Sequence, residues 1–197
     1  MSVPVKLKPL IRVGIKRIAM MRKYLRAHDE IHAPLDTQYG MYRTEYIDAE
    51  KKCPAVMVYI IEKKTGGLAQ LKMSVATKLA HQLDVTWRVT LVCDHISAQS
   101  VAFLRSRCSA LQVLSCIDII LDRFNHDYVP EYTVLSPTEI QSLEASVGNK
   151  STWPKMVAGL DPIARIMWRE PGDCLKVIGA SPVSGVYVSY RCVCEPP

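Results

Sequence analysis

Ala55-Val56-Met57-Val58-Tyr59-Ile60-Ile61 constrains the 197-residue chain more than any other stretch. Seven apolar residues in succession, rich in β-branched side chains, leave no face for water, so the run reads as a strand covered on both sides. Lys63-Lys64-Thr65-Gly66-Gly67 turns the chain after it. Met73 to Leu83 then repeats apolar residues at helical spacing, and Thr86 to Val92 is another strand with a buried face. Ser97 is placed to cap a helix running to about Arg107, because its side-chain oxygen can take an orphan amide hydrogen. Val113-Leu114 and Ile117 to Leu121 are expected to be further strands. Strands alternating with helices imply an open α/β layer whose sheet orientation the pattern leaves undetermined. Pro34 and its polar neighbours make residues 31–40 a connection, and a short helix is expected over Thr37 to Ile47.

Composition narrows the classes available to such a layer. Hydrophobic residues are 49% of the chain and charged ones 22%, which excludes disorder. No apolar run approaches the roughly 18 residues of a membrane span, and Met1 to Leu10 lacks the apolar centre of a secretion signal. The odd count of seven cysteines, spread through apparent elements, reads as reduced thiols in the cytosol or nucleus. The formal net charge of +6 has one source: residues 1–28 hold eight basic residues and no acid. At about 3.6 residues per turn, Lys8, Arg12, Lys16, Lys23 and Arg26 share one arc. Leu10, Ile11, Gly14, Ile15, Ile18, Met21 and Leu25 fill another. An amphipathic helix from Lys8 to about Arg26 is expected, its basic stripe suited to phosphates, an anionic membrane surface, an acidic partner or plain solvation.

The character changes at Phe124. Ser136-Pro137-Thr138-Glu139 is a helix start in which Ser136 is the N-cap, Pro137 opens the first turn and Glu139 closes a capping box. Trp153-Pro154 and Asp161-Pro162 each restart the chain, with Asp161 capping a short helix through Met167. Pro171-Gly172 turns into the strand Leu175 to Ile178, and Ser184-Gly185 into the strand Val186 to Val193. The organisation is therefore an N-terminal α/β domain, 1–124, followed by a small α+β module, 125–197.

No catalytic constellation stands out. The cysteines have no CxxC spacing, and Cys192-Val193-Cys194 puts two thiols on one strand face without a second ligand pair. The five histidines (His28, His32, His81, His95, His126) have no nucleophile context. The lysine-glycine turn after the first strand has P-loop letters in the wrong order. No catalytic residue, metal or cofactor is expected.

The module resembles the C-terminal domain of the fifth common subunit of eukaryotic DNA-dependent RNA polymerases, a family with archaeal members as well. The residues that carry the resemblance are His126-Asp127-Tyr128-Val129-Pro130-Glu131-Tyr132, Leu135-Ser136 with Glu139, Trp153-Pro154-Lys155-Met156 and Asp161-Pro162-Ile163-Ala164-Arg165. They continue as Pro171-Gly172-Asp173, Leu175-Lys176-Val177-Ile178, Ser184-Gly185 and Tyr187-Val188-Ser189-Tyr190-Arg191. The N-terminal domain resembles the family's jaw domain, with His95-Ile96-Ser97-Ala98 echoing its strand-to-helix turn without the proline. The chain departs from the pattern at Tyr132 (a second His in the family), at Trp168 (a small residue) and at Gly179 (a basic residue). The module carries six basic against eight acidic residues, which suggests a diverged member or a paralogue dedicated to one polymerase class, RNA polymerase I.

The resemblance implies a non-catalytic, nuclear or nucleolar subunit of a heteromeric complex rather than a homo-oligomer, with no membrane association. It implies docking of the module on the largest subunit near the omega-like small common subunit, with the jaw beside downstream duplex DNA that it does not read by sequence. The implied subunit contacts are His126, Val129, Pro130, Asp161, Pro162, Arg165, Gly172, Gly185, Tyr190 and Arg191. Each glycine and proline could equally serve only the module's own fold. DNA-proximal candidates are His95, Ser97, Arg105 and Arg107. A nucleic-acid-processing enzyme on the α/β domain and a free-standing transcription adaptor are the alternatives.

Overall fold

A computed structural model describes residues 8–22, 24–26, 33–36, 38, 40–49, 51–62, 64–84, 86–183 and 185–195. Two compact units divide between Leu121 and Asp122. The first contains helix α1 (Pro9–Met21), strands β1 (Tyr24–Arg26), β2 (Ala33–Asp36), β3 (Met41–Asp48) and β4 (Cys53–Ile60), helix α2 (Met73–Ala80) and strand β5 (Arg88–Val92). Helix α3 (Ala98–Arg107), strand β6 (Leu111–Leu114) and helix α4 (Cys116–Ile120) complete it. Its sheet runs β1-β3-β4-β5-β6, with β2 also on β3. β4, β5 and β6 are parallel because α2 and α3 return the chain across the sheet. β1, β2 and β3 pair antiparallel.

All of Ala55–Ile60 and all of β5 is buried, as an uninterrupted apolar run requires. Val56, Val58 and Ile60 share one core with Val75, Leu79, Leu91 and Leu104 on the side of α2 and α3. Each such side chain contributes about 1.5–3 kcal/mol on burial. On the opposite side α1 packs against α4. Gly14 permits that approach, since a β-carbon there would lie 1.9 Å from the carbonyl oxygen of Ile119.

Four expectations for this unit are corrected. α1 stops at Met21, with Arg22 as its C-cap, and Tyr24–Arg26 instead pairs with Tyr46–Asp48. Thr37 to Ile47 is not a helix. Met41–Asp48 is a strand whose Tyr42, Thr44, Tyr46 and Asp48 alternate into the covered face, an environment that suits aromatic and β-branched side chains. Ile117 to Leu121 is not a strand, because Ser115 accepts the Asp118 amide hydrogen while the Asp118 carboxylate accepts from the Ser115 N–H at 3.0 Å. That reciprocal pair starts α4. Leu10, expected in the core-facing stripe, is exposed, and Arg22 is buried. Lys23 lies outside the described residues, as do the side chain of Arg26 and residues 28 and 32.

The second unit contains β7 (Glu131–Val134), α5 (Pro137–Val147), a 3-10 turn (Lys150–Thr152), β8 (Lys155–Val157), α6 (Pro162–Ile166), β9 (Cys174–Ser181) and β10 (Gly185–Cys194). The sheet order is β7-β9-β10-β8, antiparallel except for the parallel pairing of β8 with β10. α5 covers one face, over Leu135, Trp153, Cys174 and Cys192. α6 covers the other, where Ile163, Ala164 and Met167 meet Met156, Leu175 and Val193. Phe124 packs into that second core, so the unit begins before the boundary expected at 125. Both expected caps are present. Ser136 and Glu139 form the capping box of α5, and Asp161 Oδ1 accepts from the amides of Ile163 and Ala164 at 2.8 and 3.1 Å. Among the described residues no helix is long and apolar enough to cross a membrane.

Candidate functional site

The second unit gathers part of the candidate set on the face of its sheet covered by α6. Val129 and Tyr132 pack against the Ile163-Ala164 core, and Arg191 lies opposite Leu175 in the β9–β10 register. Asp161, Pro162 and Arg165 belong to α6 and its cap, half-buried beside them. Tyr132 senses this company: burial pushes its phenol up, the Arg191 charge draws it back, and Asp161 and Tyr187 push it up further. Pro130 is half-buried where the loop enters β7. His126 is exposed in that loop, where its Nδ1 accepts from the Tyr128 amide at 3.3 Å.

Tyr190 stands apart, on the α5 face. Its ring meets that of Trp153 at 5.4 Å between centroids, and the Trp153 indole donates to the Gly148 carbonyl at 3.0 Å. Tyr190 separates two grooves. One of about 390 Å³ runs along α5 over Leu143 and Lys176, and one of about 450 Å³ is lined by Val147, Trp153, Pro154, Val188, Ser189 and Tyr190. Beneath lie Cys174 and Cys192, paired in register with their sulfurs 2.8 Å apart. Burial, then the hydrogen bond between them, pushes the Cys174 thiol up. Gly172 (φ 96°) and Gly185 (φ 69°) sit in exposed turns where a β-carbon would meet nothing. Left-handed backbone alone accounts for glycine at both.

The three departures from the family pattern each have a local geometry. Trp168 occupies the left-handed residue after α6, at φ 50°. Its amide donates to the Arg165 carbonyl at 3.1 Å, and the Arg169 amide to the Ala164 carbonyl at 2.7 Å. This is the paired closure of a helix end in which that residue is usually glycine, and a tryptophan side chain is buried there instead. Gly179 lies opposite Tyr187, whose ring would be 2.3 Å from a β-carbon on residue 179. Tyr187 thus fills the space that a side chain at 179 would need, and Tyr132 lies within its electrostatic reach.

In the first unit the DNA-proximal candidates do not converge. Ser97 caps α3, accepting from the Ser100 amide at 3.2 Å, with exposed His95 just before it. Arg105 and Arg107 are exposed in the last turn of the same helix, about 12–15 Å away at 1.5 Å per residue. That position also complements the negative helix end. Of the basic residues of α1, Arg12 and Lys16 are exposed, whereas Arg17 donates to the Ile119 carbonyl at 3.0 Å. Arg22 is buried and donates to Thr90 Oγ1 at 2.7 Å and to Gln112 Oε1, tying α1 to β5 and β6. The helical wheel held the signal for Arg22, because it falls between Ile11 and Ile15 on the core-facing arc.

Comparison with known proteins finds likeness over residues 122–193 and, at lower identity, over most of the chain. Residues 122–193 match the family described as RNA polymerase Rpb5, C-terminal domain. The chain is 33% identical over 72 residues to DNA-directed RNA polymerase subunit Rpo5 of Thermofilum pendens, covering 36% of this chain and 90% of that one. It is 22% identical over 198 residues, 93% of each chain, to DNA-directed RNA polymerases I, II, and III subunit RPABC1 of Caenorhabditis elegans. It is also 22% identical over 147 residues to DNA-directed RNA polymerase subunit 5 of Acanthamoeba polyphaga mimivirus, covering 69% of this chain and 70% of the viral one.

Proposed function

The chain belongs to the RNA polymerase Rpb5 family, the fifth common subunit of DNA-directed RNA polymerases, and from that premise we propose that it is a non-catalytic subunit of such an enzyme. The distribution of the likeness carries this reading. The archaeal relative is covered over 90% of its length by 36% of this chain, about the length of the family match at residues 122–193, so the second unit is what carries the shared part. We assign that unit to docking on the largest subunit near the omega-like small subunit. Its α6 face, with Val129, Pro162, Arg165 and Arg191, supplies apolar and cationic contacts. Nucleotidyl transfer belongs to the complex.

The first unit, which the likeness to the nematode subunit over 93% of each chain takes in, is assigned the place beside downstream duplex DNA. Contacts from Arg105 and Arg107 at one end of α3, and from the Ser97 end at the other, would fall on different phosphates. Binding of the free chain to duplex DNA is then weak, indifferent to sequence and salt-sensitive, and R105Q/R107Q lowers the salt slope by about 2. Tight binding that survives high salt would contradict this.

Identity of only 22% to a subunit named for polymerases I, II and III, together with Tyr132, Trp168 and Gly179, favours service in one class. We assign RNA polymerase I, and with it a nuclear, nucleolar location. The deciding experiment is purification of the tagged chain from its own cells with subunit stoichiometry. The two large polymerase subunits should be recovered at one copy each, with the subunits particular to RNA polymerase I. Recovery without the large subunits overturns the polymerase reading, and recovery with the large subunits of all three classes overturns only the class.

A further inference from the structure

Among the described residues the outer edge of β10 has no strand beside it between Val186 and Tyr190. β8 joins that edge only at Cys192–Cys194. The direction of the backbone groups there is fixed by the hydrogen bonds at that end. The Cys192 amide points outward, to the Pro154 carbonyl at 2.9 Å, while the Val193 amide points inward, to the Asp173 carbonyl at 2.8 Å. Alternation along an antiparallel pair then sends the N–H and C=O of Tyr190, Val188 and Val186 outward as well. Among the described residues these groups meet no partner.

Monomeric proteins blunt such edges with lysine, proline, charge or a bulge. The stretch Gly185–Tyr190 has none of these, it pairs with β9 without a register shift, and Val186 and Val188 are 74% and 50% exposed. Beside the edge runs the groove of about 450 Å³ over Val147, Trp153 and Pro154. At the β8 end of the groove, Lys155 lies in register with Cys192, and its Nζ donates to the Lys150 carbonyl at 3.1 Å. Neither lysine makes an ion pair among the described residues.

We propose that an extended segment of another polymerase polypeptide adds to β10 as a fifth strand. That segment is apolar at alternate positions, to fill the groove, and carries a carboxylate at the end that meets Lys150 and Lys155. Only extended peptide offers donors and acceptors at the period of the outward groups. A second copy of β10 fits less well, because Gly185–Tyr190 holds no acid to answer the two lysines. The proposal rests on the chain being a polymerase subunit and names the kind of contact it makes there.

Hydrogen exchange of the intact chain, free and within the purified polymerase, tests it at single-residue resolution. The amides of Val186, Val188 and Tyr190 exchange quickly in the free chain and slow about tenfold or more in the complex. Those of Tyr187 and Ser189, already bonded to β9, are slow in both. V188P removes an outward N–H and breaks no bond to β9, though it fixes φ and replaces the valine side chain, so it should lower retention in the polymerase through a salt wash while lowering the melting temperature of the free chain by only a few degrees. Equal exchange of the three amides in both states overturns the proposal with the polymerase assignment intact. Protection that appears in the free chain as its concentration rises overturns it in favour of a second copy. A chain that does not copurify with the large subunits overturns the assignment and the proposal together.

Discussion

Replacing Trp168 sets two opposing effects against each other at one residue. The backbone there is left-handed, at φ 50°, which costs a residue with a β-carbon about 1–2 kcal/mol relative to glycine. Against this, the side chain is 9% exposed, and truncating a buried tryptophan costs about 3–5 kcal/mol. Burial therefore wins, and W168G destabilises the second unit by about 1–4 kcal/mol although it supplies the usual helix-ending residue. W168A removes the same burial and keeps the left-handed cost. Glycine offsets part of its advantage by its larger unfolded-state freedom, about 0.4–1 kcal/mol, so W168A should be less stable than W168G by about 1 kcal/mol. For a unit of this size that difference is about 4–8 °C in Tm. Circular dichroism melts of the two variants and the parent, compared with urea midpoints, provide the assay. W168G at least as stable as the parent would show that burial at this position contributes no more than the left-handed backbone costs. W168A equal to or above W168G would remove the left-handed argument.

Asp48→Asn leaves the Arg88 guanidinium, 2.6 Å from that carboxylate and 8% exposed, beside a neutral amide. The first unit should lose about 3–5 kcal/mol by urea denaturation, whereas a loss below about 1 kcal/mol would mean a pair no stronger than a surface one. Gly14→Ala gains about 1 kcal/mol of helix propensity but drives a methyl to 1.9 Å from the Ile119 carbonyl oxygen. α1 must move off α4, and the first unit should melt at lower temperature; an unchanged or raised Tm would show that the two helices do not pack this closely. Hydrogen bonds from the Ser136 hydroxyl and backbone hold Glu139 below the usual carboxylate range. A depressed carboxylate contributes stability above its unfolded pKa and loses it as pH falls through the folded one. The melting temperature of the second unit should therefore decline on the acid side of that range, and Ser136→Ala should both lower and flatten the decline. Parallel pH profiles for parent and variant would rule out this cap as their source.

Legibility followed how locally each element is determined. The buried strands β4 and β5 could be read because burial on both faces leaves an unbroken apolar run. The caps at Ser97, Ser136 and Asp161 could be read because the donor and acceptor lie within three residues of each other. The same motif was present at Ser115-Cys116-Ile117-Asp118, but Ile117, Ile119 and Ile120 favour a strand, and only the reciprocal hydrogen bonds tip this segment to a helix. β3 was obscured by charge. Arg43 and Glu45 interrupt the apolar pattern, yet they pair with each other across the open face at 3.0 Å, leaving Tyr42, Thr44 and Tyr46 to the covered one. Arg22 shows the limit of reading a stripe by residue type. Its guanidinium falls on the apolar arc, and it is buried there because Thr90 and Gln112, 68 and 90 residues away, present acceptors to it. In the candidate interface, the motif residues divide between the two faces of one sheet, a separation set by strand pairing that no local pattern encodes.

The pair Gly179 and Tyr187 bears on whether the departures from the family pattern are independent. A glycine inside a strand loses side-chain cover, and an aromatic ring from the neighbouring strand can replace it. Tyr187 does so here, its ring end 2.3 Å from where a β-carbon at 179 would lie. The glycine at 179 and the ring at 187 are then coupled in this fold, and together they present an aromatic surface beside Tyr132 and Arg191. Gly179→Lys alone must swing the ring outward, and Tyr187→Ser alone uncovers the glycine, so each should be destabilising. The double substitution removes the collision, and its cost should fall short of the sum of the single costs by about 1 kcal/mol, within the range for residues in contact. Urea titration of the four proteins gives that difference, and simple additivity would make the two positions independent. Retention of the double variant in the polymerase then separates fold from recognition. A stable variant that is lost from the complex places the aromatic surface in the interface, while a stable variant that is retained confines Gly179 and Tyr187 to the unit's own packing.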